Sequence, residues 1–156
     1  MPENMFCFVS TNAMATRILI INGPNLNLLG KRQPEVYGSN SFEEYFNDLT
    51  SRFPEAELAY YQSNIEGELI DEIQKADQNF DGILLNAGGY SHTSVAIRDA
   101  ISAIETDVLE IHISNIFKRE EFRHGSMIAA VCKGSISGFG LDSYRLGVEA
   151  VIESKN

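Results

Sequence analysis

Five short apolar runs, each followed by an amphipathic stretch, are the feature of this sequence that most constrains its fold. Parallel strands covered on both faces are nearly continuous in apolar residues, and the helices that connect them carry one apolar face. The first, third and fourth runs are the nearly continuous ones, and all five are too short for typical helices. They predict strands at residues 17–22, 57–62, 82–86, 108–112 and 134–138.

Helix signals lie between the predicted strands. Ser41 with Glu44, and Ser63 with Glu66, form two candidate capping boxes, each followed by apolar residues at helical spacing. Pro54 is expected to end the first of these helices. Further helical segments are expected over 94–103, as a short charged turn near 118–122, and at the carboxyl end, where the apolar positions are Leu141, Tyr144, Val148, Val151 and Ile152.

This alternation predicts an α/β fold, a flavodoxin-like three-layer sandwich with a five-stranded parallel sheet in the order 2-1-3-4-5. Ligands of such sheets bind beyond the carboxyl ends of the strands, at the switch point between strands one and three. A chain of 156 residues suits one domain, which we place at 17–156. Residues 1–16 lack periodicity, and we expect an extension that is disordered or marginally packed and carries no chemistry.

Composition narrows the classes of partner. The formal charge is -10, and no basic stripe is present, so nucleic acid is an unexpected partner. A few arginines in a concave site can still attract an anionic small molecule. No apolar run approaches the ~18 residues of a membrane helix. Cys7 and Cys132 match no disulfide or zinc spacing, which predicts reduced thiols in a soluble cytoplasmic protein without a metal.

The loop that follows the first strand, residues 23–38, is unusually long and polar. It fits neither dinucleotide nor P-loop spacing, and its length and position favour a lid. Tyr37 lies near Arg32 in this loop, together with Asn25. A guanidinium within about 4 to 6 Å favours the phenolate, a strong base for a proton beside a carbonyl. The alternative is a polar surface loop with the Tyr37 hydroxyl in water.

The segment after the third strand reads NAGGYSHTS, at 86–94. Asn86 offers both a donor and an acceptor at the strand end, and the paired glycines allow close approach of a ligand to the backbone. His92 precedes the next helix and is predicted to bind rather than to catalyse. A flavin or phosphate cradle is the competing interpretation.

Strand four ends in EIHISN, at 110–115. Glu110 and His112 share one face because strand residues alternate, so the carboxylate can orient and charge the imidazole for use as a general acid. The amides of Ile113 and Ser114 follow at a turn and suit a carboxylate or phosphate. A histidine satisfied inside the protein, without a catalytic role, is the alternative.

The next segment, KREEFR, carries two candidate cationic residues. Arg119 and Arg123 are four residues apart and would share one face of a helix. Beside the end of strand four, that face could bring positive charge to an anionic ligand. The ordinary interpretation is a solvated charged turn.

These blocks, GPNLNLLGKRQPEVYG, LNAGGYSHTSVAIRDA and EIHISNIFKREEFRHGS, resemble in order and spacing the signature blocks of type II 3-dehydroquinate dehydratases. The resemblance covers the chain from about Arg17 to Ser154. It implies a flavodoxin-like hydro-lyase of the shikimate pathway that reversibly converts 3-dehydroquinate into 3-dehydroshikimate through an enolate, with no cofactor.

The resemblance also implies a role for each matching residue. Tyr37 would be the base, Arg32 and Arg119 its cationic neighbours, and Asn25 the oxyanion donor. His112, oriented by Glu110, would be the general acid. The remaining matching residues would bind substrate: Asn86, His92 and Arg123 its hydroxyls, and the Ile113 and Ser114 amides its carboxylate.

Assembly is expected on the same ground. Members of the family are generally dodecamers built as a tetramer of trimers, and Asp99 matches the residue that reaches a neighbouring subunit's site. Its own sequence context predicts a helix-surface carboxylate paired with Arg98 or another cation. A flavodoxin-like module that binds FMN or phosphate remains the alternative from another functional class.

Overall fold

The chain is described by a computed structural model over residues 14–31, 35 and 39–156. Its sheet has five parallel strands in the order β2-β1-β3-β4-β5, which confirms the predicted fold class and strand order. The strands are β1 (Thr16–Asn22), β2 (Ala56–Gln62), β3 (Gly82–Asn86), β4 (Val108–His112) and β5 (Gly134–Ser137). The helices are α1 (Phe42–Arg52), α2 (Glu66–Ala76), α3 (Val95–Ser102) and α4 (Asp142–Glu153).

The two faces of the sheet support separate apolar clusters. One joins β1, β3 and β4 to α1 and α4, through residues such as Ile20, Phe42 and Tyr144. The other joins the same strands to α2 and α3, through residues such as Ile21 and Leu69. Alternation along each strand sends successive side chains to opposite clusters, so the three central strands are buried throughout their shared length.

The first predicted capping box is present and the second is not. Ser41 and Glu44 exchange hydrogen bonds of 3.2 Å between side chain and backbone, and Phe53 caps the end of α1 before Pro54. At α2 the pairing of Ser63 with Glu66 is wrong, because the helix begins at Glu66 itself. The Ser63 hydroxyl donates instead to Glu68, at 2.5 Å, and accepts from the Ile65 amide.

The short charged turn predicted near 118–122 is divided in two. Two separate 3₁₀ turns, Ile116–Lys118 and Glu121–Arg123, occupy this segment, and Arg119 between them has extended backbone. The other predicted boundaries differ from the structure by a residue or two. Of the predicted extension, residues 1–13 and therefore Cys7 lie outside the described residues, and Thr16 already belongs to β1.

No helix within 14–31 or 39–156 is long and apolar enough to cross a membrane.

Candidate active site

A cavity of about 350 Å³ lies at the carboxyl ends of β1, β3 and β4. The loops that follow these three strands line it, where the strand order predicts a binding site. Eight of the predicted site residues contribute to its wall: Asn25, Asn86, His92, His112, Ile113, Ser114, Arg119 and Arg123. Glu110 lies beneath it as the partner of His112.

Two predicted site residues cannot be placed. Tyr37 and Arg32 lie outside the described residues, so their predicted roles remain predictions.

Asp99 is on α3 with its side chain exposed, away from the cavity wall. It is the predicted surface carboxylate, but the expected pair with Arg98 is wrong, because Arg98 donates to the Met127 carbonyl at 2.6 Å. Within the described residues Asp99 forms no ion pair.

The floor of the cavity contains a buried carboxylate–imidazole pair. Glu110 is 1% exposed and His112 is 6% exposed, and Nε2 of His112 is 2.9 Å from Oε1 of Glu110. Because a carboxylate accepts, Nε2 carries a hydrogen and donates it to Glu110. The imidazole is thereby held in one orientation, with Nδ1 as its second proton-transfer atom.

Two serines complete the environment of Glu110. The Ser126 hydroxyl donates to Oε1 at 2.5 Å, and the Ser135 hydroxyl donates to Oε2 at 2.9 Å. Burial alone would raise the pKa of Glu110, but the hydrogen bonds from His112, Ser126 and Ser135 outweigh it and leave that pKa lowered. Glu110 is therefore an ionised carboxylate at neutral pH.

His92 lies beside this pair at the cavity wall. Its ring stacks on that of His112 with the centroids 6.1 Å apart, and its Nδ1 is 2.7 Å from the Gly125 carbonyl. A carbonyl accepts, so Nδ1 is the donor and, in the neutral ring, Nε2 is an acceptor. A neutral His92 can thus accept a hydrogen bond from a ligand hydroxyl.

Two arginines bring positive charge to the cavity although no α-helix joins them. Both pair with the same carboxylate, Glu120, at 3.5 Å for Arg119 and 2.9 Å for Arg123. Arg119 also donates to the Ser114 hydroxyl at 3.2 Å. The Glu120 amide and the two guanidinium groups hold the pKa of Glu120 below its usual range, so the cluster carries a net positive charge.

Two backbone features complete the wall. The amide N–H groups of Ile113 and Ser114 donate no hydrogen bond within the described part of the chain, so both can serve an anion. The backbone of Asn25 is left-handed, with φ 69°, and its backbone N–H donates to the side-chain oxygen of Asn64 at 3.0 Å. Gln62 donates to both Asn64 and the Gly23 carbonyl, which ties the first loop to the end of β2.

Close packing joins the loops after β1 and β3. A Cβ at Gly23 would lie 2.6 Å from the Ala87 carbonyl oxygen, so only glycine fits there without a backbone shift. The Gly23 amide also donates to the Asn86 carbonyl at 2.7 Å. This contact sets Asn25 and Asn86 on adjoining walls of the cavity.

Comparisons with known proteins show the family of this chain. The family model described as Dehydroquinase class II matches residues 16–152. The chain belongs to the class II dehydroquinase family. A 3-dehydroquinate dehydratase of Exiguobacterium sp. is 57% identical over 88% of this chain and 94% of its own length, and one of Carboxydothermus hydrogenoformans is 54% identical over 88% and 90%.

Solved structures of type II dehydroquinases also match. The enzyme of Butyrivibrio crossotus superposes with a TM-score of 0.85 at 44% identity, covering 88% of this chain and 98% of its own. The predicted family and the predicted enzyme class, a hydro-lyase of the dehydratase type, are therefore confirmed. Family membership favours the enzyme over the FMN-binding module.

Sequence reasoning did not identify several groups that shape this class II dehydroquinase site. Ser135 had a usable signal, because in the predicted strand order it pairs in register with Glu110. Glu120 also had a signal, because it lies between the two arginines in the sequence. Ser126, Gln62 and Asn64 gave no local signal, because they reach the site through tertiary contacts.

The lowered pKa of Glu110 predicts how Ser135→Ala changes stability. An ionised Glu110 stabilises the fold at neutral pH, and this contribution is lost as pH falls through its lowered folded pKa. Loss of the Ser135 hydrogen bond should cost about 1.5–3 kcal/mol at neutral pH, since the acceptor is charged. The deficit should shrink at acid pH, where Glu110 is protonated.

Urea denaturation of wild type and variant at both pH values measures this difference. Ser102→Ala is the matched control, because among the described residues that hydroxyl bonds only the Arg98 carbonyl of the same helix, and its effect should be within about 0.5 kcal/mol. A Ser135→Ala deficit that is equal at both pH values would contradict the assignment.

Proposed function

We propose that this protein is a type II 3-dehydroquinate dehydratase of the shikimate pathway, which reversibly removes water from 3-dehydroquinate to give 3-dehydroshikimate. The observation that carries the proposal is the buried His112–Glu110 pair at the floor of a cavity whose wall bears Arg119 and Arg123. This combination provides a proton donor next to a site for an anionic ligand. The proposal is supported by relatives named 3-dehydroquinate dehydratase that share about half of their residues with this chain.

The first step of the proposed reaction is removal of a proton from the carbon between the ketone and the hydroxyl-bearing carbon. The Tyr37 phenolate takes this proton, and the C–H electron pair moves toward the ketone oxygen to give an enolate. Arg32 and Arg119 favour the phenolate by their charge. Asn25, directly or through a water molecule, donates to the enolate oxygen, and such a donor is often worth ~3 to 4 kcal/mol.

The second step expels the hydroxyl. The enolate electrons return to form the carbon–carbon double bond, the C–O bond breaks, and His112 protonates the leaving oxygen so that water departs. Since Nε2 donates to Glu110, the transferred proton leaves from Nδ1. The ionised Glu110 stabilises the charged imidazole before transfer. Return of a proton from Tyr37 to His112 through solvent resets the site.

Substrate binding is assigned to the remaining wall. The Ile113 and Ser114 amides, which have no acceptor among the described residues, suit the carboxylate of 3-dehydroquinate. Asn86, His92 and Arg123 are proposed to bind its hydroxyl groups. For His92 the support is the acceptor character of Nε2, which follows from the Nδ1 bond to Gly125.

We further propose that the subunits assemble as a dodecamer, a tetramer of trimers, with Asp99 reaching the cavity of a neighbour. The support is an exposed carboxylate on α3 that forms no ion pair within the described ranges. Analytical ultracentrifugation should give the dodecamer mass, and Asp99→Ala should lower kcat/KM. A fully active monomer would overturn this arrangement.

The first test of the reaction compares the activity of wild type with that of Tyr37→Phe. With 3-dehydroquinate, wild type should generate the conjugated-enone absorbance of 3-dehydroshikimate. Tyr37→Phe deletes the base and keeps the ring, so kcat should fall by about 10²- to 10⁴-fold while ligand binding changes little. Tyr61→Phe, which removes a hydroxyl on β2, is the control and should retain wild-type turnover. Near-normal turnover of Tyr37→Phe would refute the role of the base.

The second test separates the two steps. His112→Asn should lower dehydration by about 10²-fold or more, because the leaving hydroxyl loses its proton donor. Exchange of the abstracted hydrogen with deuterated water, followed by NMR of the substrate, should persist because Tyr37 is intact. Glu110→Gln should show a milder form of the same pattern. Loss of exchange together with dehydration in His112→Asn would place His112 in the first step instead.

A further inference from the structure

A fully buried tyrosine lies directly beneath the cavity wall. Tyr144 is on α4, is 0% exposed, and its hydroxyl reaches the ends of two neighbouring strands. It is 2.7 Å from Oδ1 of Asn22, the last residue of β1, and 2.8 Å from Nδ2 of Asn86, the last residue of β3. Asn22 and Asn86 are partners in the parallel register, so one hydroxyl bridges two adjacent strand ends.

The direction of each hydrogen bond follows from the donors available. The Gly88 amide donates to Oδ1 of Asn86 at 3.3 Å, so the amide nitrogen of Asn86 faces Tyr144. An amide nitrogen can only donate, and therefore the Tyr144 oxygen accepts from it. The single hydrogen of that hydroxyl is then directed to Asn22. Rotating the Asn86 amide by half a turn would set its nitrogen against the Gly88 donor.

We propose that Tyr144 is a positioning residue, which fixes the side-chain amide of Asn86 so that its second N–H hydrogen is presented to a hydroxyl group of the substrate. This inference rests on the proposed function of the cavity. An amide nitrogen has two hydrogens, and one is used on Tyr144. The other is left for a ligand in the cavity that Asn86 lines.

The surroundings of Tyr144 separate its hydroxyl from its packing. Its ring meets Phe42 edge-on, with the centroids 4.9 Å apart, so the ring is held independently of the hydroxyl. The neighbouring Tyr45 has a buried hydroxyl with no hydrogen-bond partner among the described residues. Burial raises the pKa of Tyr144, which keeps the hydroxyl protonated and able to donate to Asn22.

A double-mutant cycle on kcat/KM tests the proposal. Tyr144→Phe in the wild-type background should lower kcat/KM by about 10-fold, mainly through a higher KM, because it releases a binding group and leaves Tyr37 and His112 untouched. In the Asn86→Ala background, Tyr144→Phe should cause little further loss, because its target is absent. Losses that multiply in the double variant would mean that Tyr144 acts independently of Asn86 and would overturn the proposal.

Two variants complete the kinetic test. Tyr45→Phe removes a buried hydroxyl from the same aromatic cluster and should leave kcat/KM unchanged. Asn22→Leu removes the acceptor of the Tyr144 hydrogen and leaves Tyr144 and Asn86 in the sequence. This variant replaces Tyr144→Phe in the test if Tyr144→Phe does not fold. Asn22→Leu should also raise KM, and a wild-type KM in this folded variant would contradict the proposed chain of hydrogen bonds.

A measurement without turnover separates this inference from the proposed reaction. The side-chain amide signal of Asn86, assigned by its loss in Asn86→Ala, should be protected from hydrogen exchange in wild type. Protection should fall in Tyr144→Phe and persist in Tyr45→Phe. An unchanged signal in folded Tyr144→Phe would refute positioning, whereas a wild type inactive on 3-dehydroquinate, with the expected NMR change, would refute only the proposed reaction.

Discussion

The in-register parallel pairing of β1, β3 and β4 is the constraint on which the site depends. Asn22 pairs with Asn86, and Leu85 pairs with Glu110, so the three strands end at nearly the same level of the sheet. Their buried apolar residues fix this register, because a shift by one residue would turn every side chain toward the opposite face. Each loop therefore begins at a defined height, and side chains far apart in sequence converge on one cavity.

The buried carboxylate of Glu110 requires hydrogen bonds from several donors to remain ionised inside the protein. An isolated carboxylate in such a place would be strongly destabilising. Donors arrive from its own strand, from β5 and from the segment that holds Ser126, so the cavity floor is held together from several directions. The chain has a net charge of -10, but the charge at the cavity wall is set locally. Two arginines, Arg119 and Arg123, share a single carboxylate there, which leaves an excess of positive charge.

The sequence predicted those parts of the fold that follow from local periodicity. The central strands were recognisable because both of their faces are covered, and the pairing of Glu110 with His112 follows from alternation along β4. The second capping box failed because Ser63 had two glutamates within reach, and the later start of α2 selects Glu68. The charged segment does not form a single helical turn because Arg119 adopts extended backbone, which a charge pattern does not reveal.

Side chains that reach the site only through tertiary contacts cannot be identified from local sequence patterns. Ser126 approaches Glu110 from a loop sixteen positions away, and Asn64 reaches Asn25 from the end of another strand. Tyr144 was predicted as an apolar helix position, which its ring fulfils, while its hydroxyl bond to Asn86 depends on where α4 crosses the sheet. Periodicity identifies the buried face of a helix, but it does not identify the hydrogen-bond partner of a polar atom at the tip of a side chain.

The left-handed backbone of Asn25 affects how substitutions at that residue should be interpreted. Asparagine and glycine tolerate this conformation, whereas alanine is strained there by roughly 1 kcal/mol or more. An alanine replacement would thus alter the path of the loop as well as delete an amide. Glycine also removes the side-chain amide but fits this backbone without strain, so Asn25→Gly reports mainly the loss of the side chain, and any further effect of Asn25→Ala reports the backbone strain.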